Sequence, residues 1–339
     1  GIVSNASNSA TLPSSATAKG DVWTITVTPV DPLAAGPSTS TDIAIVNAPP
    51  SLSSVVVSPS APNNRETLQC TAVETDADPV DISSLVVTYQ WLNLATGAVL
   101  GTNDSLTLTT GTASVFDAIQ CTATVTDIDG ATDTSNTQVT VGNTDPTVSA
   151  VTIAPSNPDR ETTVTCSAST ADLDGDSPTL SYEWFSNGAS LGTGDTLDLT
   201  STAIIRGDPL TCTATADDGN GGTSDESSTT VITNATPSIT GVNILVNGAV
   251  QSTAQASDTL TCVPLNFTDA DSDVPQYIYQ WRTNGTPTAS SVTISSLFQK
   301  NDTVSCEATP FDGNAFGTPH TQSVTIVNTA PAVDGIAFV

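Results

Sequence analysis

Residues 164–184 read VTCSASTADLDGDSPTLSYEW and residues 210–214 read LTCTA. Cys166 is thus followed by Tyr182 and Trp184, and then by a second cysteine, Cys212. The same order returns at Cys70, Tyr89, Trp91 and Cys121, and again at Cys262, Tyr279, Trp281 and Cys306. Self-similarity at a fixed period is a better guide to the number of structural units than chain length. Around each cysteine apolar residues alternate with threonines, the period-two pattern of a half-buried strand. In the clearest copy, strands are expected at 148–153, 162–168, 180–185, 196–199, 210–216 and 229–233. Hairpin-type dipeptides separate them at Asn187-Gly188 and Asp218-Gly219, and Asp129-Gly130 and Asp312-Gly313 repeat the second.

Outward from this stretch, four junctions punctuate the chain at a period of 91 to 96 residues: Asn47-Ala48-Pro49-Pro50, Asn143-Thr144-Asp145-Pro146, Asn234-Ala235-Thr236-Pro237 and Asn328-Thr329-Ala330-Pro331. They delimit the C-terminal half of a module at 1–48, whole modules at 49–144, 145–235 and 236–329, and the first strand of another module at 330–339. In the half module, Lys19-Gly20-Asp21 matches Arg206-Gly207-Asp208, which puts Ile25 where other copies carry their second cysteine. Together the two end fragments lack the region that carries the first cysteine and the Tyr-x-Trp pair. Both are therefore expected to be cuts in a longer chain, with apolar positions Val333, Ile336 and Val339 in the last strand, rather than partners in strand exchange.

With these motifs, nearly the whole sequence resembles the tandem immunoglobulin-like repeats, akin to PKD and cadherin-like modules, of large bacterial and archaeal extracellular surface proteins. The resemblance implies an all-β fold: tandem immunoglobulin-like β-sandwiches arranged end to end as a rod, each with a buried tryptophan beside a bridge between its sheets. It implies bridges Cys70–Cys121, Cys166–Cys212 and Cys262–Cys306, and hence an oxidising compartment. Each bridge would close a loop of roughly 45 to 50 residues, worth about 4 kcal/mol in the chain-entropy model. Ile119, Leu210 and Val304 stand two residues before the second cysteines, where many animal domains of this fold carry tyrosine. That departure favours a prokaryotic relative. Prolines at the junctions restrict the backbone and predict stiff joints.

Thirty-five acidic residues against six basic ones give a formal charge of -29. Nucleic acid and anionic membranes need a basic partner surface, so neither is expected to bind. No stretch approaches the length of an apolar membrane span, and no basic-then-apolar leader opens the chain.

Each first cysteine is followed by an acidic loop: Asp76, Asp78 and Asp81; Asp172, Asp174 and Asp176; Asp269, Asp271 and Asp273. Loops near the second cysteines add Asp127 and Asp129, Asp217 and Asp218, and Asp312. In this fold both loops emerge at one pole. Calcium takes about six to eight oxygen ligands, several of them carboxylates. Loops meeting the preceding module's last strand would supply them, much as in the calcium-stiffened joints of cadherin-like proteins. The competing reading is solvated turns on an acidic surface. Arg206-Gly207-Asp208 spells an integrin-recognition tripeptide, but its counterparts Lys19-Gly20-Asp21, Val115-Phe116-Asp117 and Lys300-Asn301-Asp302 mark it as a recurring turn. Sequons stand at Asn5, Asn103, Asn234, Asn266, Asn284 and Asn301, about as many as chance provides in so Ser/Thr-rich a chain. His320 is the lone histidine, so no repeated catalytic triad or histidine metal site can be built, and no enzyme is expected. The expected role is a structural segment of an extracellular filament, stalk or surface fibre, partnered by further modules or copies of itself. The alternatives are an adhesin binding a glycan or protein, or spacer modules of a secreted enzyme.

Overall fold

The structure, a computed structural model, describes residues 11–330 and 335; among them there is no α-helix. Asn5, Val333, Ile336 and Val339 lie outside the described residues. The chain forms two compact units. One runs to Pro146 and takes in the loops Ala171–Pro178 and Asp217–Thr223; the other comprises Thr147–Thr170, Thr179–Ala216 and the chain from Ser224 onward.

The first unit opens with an antiparallel hairpin, β1 (Val22–Val27) and β2 (Thr39–Ala44), in which Ile25 lies opposite Thr41. A sandwich follows. Its smaller sheet has the order β3-β4-β7, from β3 (Ser51–Ser58), β4 (Thr67–Thr75) and β7 (Ser105–Thr107). Its larger sheet has the order β6-β5-β8-β9, from β5 (Val86–Asn93), β6 (Ala98–Gly101), β8 (Ala118–Thr126) and β9 (Thr132–Thr140). The Cys70–Cys121 bridge ties β4 to β8 across the core, and Trp91 is wholly buried beside it with Leu68, Leu108, Ile119 and Val141.

The second unit repeats the plan twice. Strands β10 (Thr147–Ala154), β11 (Thr163–Ala171) and β14 (Thr196–Asp198) form a sheet in the order β10-β11-β14. Strands β12 (Thr179–Ser186), β13 (Ala189–Thr193), β15 (Pro209–Asp217) and β16 (Thr223–Val231) form another, ordered β13-β12-β15-β16. Next come β17 (Gly241–Val246), β18 (Ala249–Val250), β19 (Thr253–Gln255), β20 (Thr259–Leu265), β21 (Gln276–Thr283), β22 (Thr286–Ala289), β23 (Thr293–Ser295), β24 (Thr303–Phe311) and β25 (His320–Val327), in sheets ordered β18-β17-β20-β23 and β19-β25-β24-β21-β22. Cys166–Cys212 and Cys262–Cys306 close the two cores, with Trp184 and Trp281 fully buried. In each of these three cores the tryptophan's indole N–H finds an acceptor, as burial favours. Trp91 donates to the Asn103 carbonyl at 2.9 Å, Trp184 to that of Gly194 at 2.9 Å and Trp281 to that of Ser291 at 2.8 Å.

Two strands of the clearest copy depart from the expected pattern: β13 (Ala189–Thr193), which has no expected counterpart, and β16. Strand β16 begins at Thr223 rather than at 229, directly after the turn. Its sequence TSDESSTTV has almost no apolar alternation, because it is a half-exposed edge whose pairing is carried by backbone. Among the described residues no helix is long and apolar enough to cross a membrane, which leaves β-barrels unaddressed.

One turn recurs in four copies, before the strands of the three second cysteines and before β1. Gly20, Phe116, Gly207 and Asn301 all sit at positive φ, and each amide donates to a carbonyl at the end of the following strand or just past it: Ile45, Val141, Ile232 and Ile326. The next residue is aspartate every time. Asp21, Asp117, Asp208 and Asp302 each accept from the amide three residues back, at 2.9, 2.9, 3.1 and 2.6 Å. This bond closes the turn, a local role for the acid of Arg206-Gly207-Asp208 that needs no receptor.

Candidate metal centres at the module junctions

A junction asparagine and two acidic loops converge at three places, two in the first unit and one in the second, and at the first and third the turn just described joins them through Lys19 and Arg206. The construction is the same each time. Asn47, Asn143 and Asn234 donate from Nδ2 to Asp127, Asp218 and Asp312 at 2.7, 2.8 and 2.8 Å. The following backbone amides, of Ala48, Thr144 and Ala235, donate to Asp78, Asp174 and Asp271 at 2.8, 2.6 and 2.8 Å. Within the first acidic loop, Asp76, Asp172 and Asp269 accept at Oδ1 from the amide two residues on, at 2.7, 2.7 and 2.8 Å, which folds the loop back on itself.

These bonds leave particular oxygens over. Oδ2 of Asp76, Asp172 and Asp269 is buried without a hydrogen-bond partner in all three copies. So are Oδ1 of Asn47 and Asn143, and Oδ1 of Asp174 and Asp271. Burying such acceptors unsatisfied is costly, and each calls for an explanation such as an ion or water. Ligand oxygens of Asp76, Asp81 and Asp127 lie within 4.8 Å of one another, as do those of Asp172, Asp174 and Asp176 and those of Asp269, Asp271 and Asp273. The donor set is wholly oxygen, which suits a hard cation such as calcium and not zinc.

The remaining expected ligands are placed as follows. Asp129 is held by Lys19, which also pairs with Asp81 at 2.5 Å. At the second junction the asparagine selects Asp218, while Asp217 is exposed and accepts from the Gly219 amide instead. Asp176 accepts from Asn220 at 2.8 Å. Gly222 permits the close approach here: a Cβ would collide with Asp218 Oδ2 and lie 2.8 Å from Asn143 Nδ2 and 2.9 Å from Asp145 Oδ1. At the third junction Arg206 pairs with Asp273 at 2.7 Å, lies 3.8 Å from Asp271 and donates to Asn234 Oδ1.

Electrostatics follow these contacts. The Asn47 amide, with the backbone amides of Ala131 and Asp129, holds the Asp127 carboxyl below its ordinary range against the effect of burial. Asn143, with the amides of Asn220 and Gly222, does the same for Asp218. Burial opposes ionisation at Asp312, but the bonds from Asn234, Ala315 and Asn314 outweigh it. Asp129, then Asp81, raises Lys19, and Asp273 raises Arg206.

Junction asparagines and the two basic residues were not among the expected ligands. Their recurrence just before each proline, and at one turn, was the available signal. Of the described sequon asparagines, Asn103, Asn266, Asn284 and Asn301 are exposed, whereas Asn234 is committed to Asp312 and Arg206.

No protein-family model matches the sequence, and no curated protein matches it. Solved structures do resemble it. They include the three N-terminal domains of the bacteriophage RB49 highly immunogenic outer capsid protein, at 15% identity over 83% of this chain and 100% of that one, TM-score 0.30. A 1.5-MDa bacterial ice-binding adhesin is similar at 14% identity over 83% of this chain and 99% of that one, TM-score 0.30. The protocadherin GammaB4 extracellular domain is similar at 15% identity over 91% and 54%, TM-score 0.35. The tandem of bridged β-sandwiches is seen in this chain's own sheet orders and cores.

Proposed function

We propose that the chain is a non-enzymatic, load-bearing segment of an extracellular filament, stalk or surface fibre whose module junctions take calcium. The observation that carries this reading is the set of buried oxygens left without hydrogen-bond partners at corresponding positions, Asp76, Asp172 and Asp269 above all. Carboxylates and junction asparagines would hold the ion, and its charge would offset their mutual repulsion. Three formed disulfides, with no free cysteine, fit an oxidising surroundings outside the cell.

Hydrogen exchange with and without a calcium chelator tests the proposal. Chelation is expected to speed exchange at the Ala48, Thr144 and Ala235 amides while the strands around Trp91, Trp184 and Trp281 stay protected. Unchanged exchange, together with no heat on calcium titration, would remove it.

A further inference from the structure

The three junctions share a plan but not a charge. All four ion pairs among the described residues are made by Lys19 and Arg206, which occupy the same position of the recurring turn at the first and third junctions. There the side chain enters the acidic cluster itself, Lys19 on Asp81 and Asp129, Arg206 on Asp273 and close to Asp271. Arg206 also takes up Asn234 Oδ1, the atom whose counterparts on Asn47 and Asn143 are left without a partner.

At the second junction the same turn position is Val115, which brings no charge. Arg65 reaches this loop but donates to the Leu173 carbonyl and not to a carboxylate. Asp176 is met by a neutral amide, that of Asn220, and Asp145 adds a carboxylate oxygen beside Asp218 and Asn143. Asn143 Oδ1, Asp172 Oδ2 and Asp174 Oδ1 are buried without partners here, as is Oδ1 of Asn64, whose amide donates to the Asp174 carbonyl. Asp174 is only 5% exposed, and its carboxylate converges with those of Asp172 and Asp176.

We propose that the junctions are two kinds of site: the Asp172, Asp174 and Asp176 cluster depends on a bound divalent cation of calcium's size, while Lys19 and Arg206 act as tethered counter-cations that supply part of this charge at the other two. The inference rests on the calcium reading above and adds an order of affinity to it. A fixed positive charge among the ligands repels an incoming dication and occupies oxygens it needs, so calcium binds the second junction first.

The test is calorimetric titration of the whole metal-stripped chain with calcium chloride, comparing wild type, Asp174→Asn, Val115→Lys and the double variant Lys19→Gln, Arg206→Gln. Wild type is expected to show one tight class. Asp174→Asn should abolish it, and Val115→Lys should weaken it about tenfold by placing a cation where the other junctions have one. The double variant should tighten the weaker class by a similar factor. Val115→Lys keeps the test decisive if Asp174→Asn fails to fold. Equivalent sites in wild type, unmoved by both the added and the removed cations, overturn this inference and leave the calcium reading standing. No calcium uptake by any variant overturns both.

Discussion

A junction asparagine does two jobs with one amide. The Nδ2 of Asn143 holds Asp218 ionised, and its Oδ1 stays available beside the acidic loop. Asp127, Asp218 and Asp312 titrate below the ordinary carboxylate value of 3.8. A carboxyl depressed on folding contributes stability that is fully present above its unfolded value and is lost as the pH falls through its folded one. These ties therefore hold at neutral pH and yield only in acid below the ordinary carboxylate range. Asn143→Ala should raise the Asp218 carboxyl toward that range, so that the junction opens at a higher pH. Carboxyl carbon NMR of Asp218, alongside exchange at the Thr144 amide, measures both effects; an unshifted titration would mean that the Asn220 and Gly222 amides suffice alone. Sequence could not choose between adjacent Asp217 and Asp218, because which of two neighbours faces inward is settled by the turn that follows. Nor could it assign Lys19, whose partners are 62 and 110 residues away.

At the scale of strands, legibility tracked burial. Strand β15 alternates half-exposed and buried residues up to its exposed last residue, Asp217, and its expected span, 210–216, lies within the observed Pro209–Asp217. Strand β16 does not alternate cleanly and its start was missed by six residues, since nothing apolar marks an edge that leans on backbone pairing. The recurring turn was visible as a repeat in the sequence, but not its left-handed centre, where Phe116 at φ 68° does what Gly20 and Gly207 do without a side chain in the way. The tryptophan was the most legible residue because the core is built around it. Trp184→Ala should cost about 3–5 kcal/mol, as for other large-to-small core changes, and leave the Trp281 sandwich intact. Urea unfolding followed separately at resonances of the two sandwiches would read this. A loss confined to a few tenths of a kcal/mol would show that the indole is not central.

Over the whole molecule, three bridges at one repeated position set a limit that has nothing to do with stability. Chain between Cys166 and Cys212, a separation of 46 residues, cannot straighten while the bridge holds. The separations of 51 and 44 in the neighbouring modules confine about half of each repeat in the same way. A tug on such a module unspools only the other half, roughly 45 residues or about 150 Å at ~3.4 Å per residue. Single-molecule pulling should therefore record short, similar steps in air-oxidised protein and steps about twice as long in reductant. Equal steps in both conditions would mean that the bridges do not bear the load. The disulfides thus act as travel stops: a segment that yields under a sudden pull lengthens by a bounded amount, keeps half of each module tethered beside its partner strand, and shortens again when slack returns.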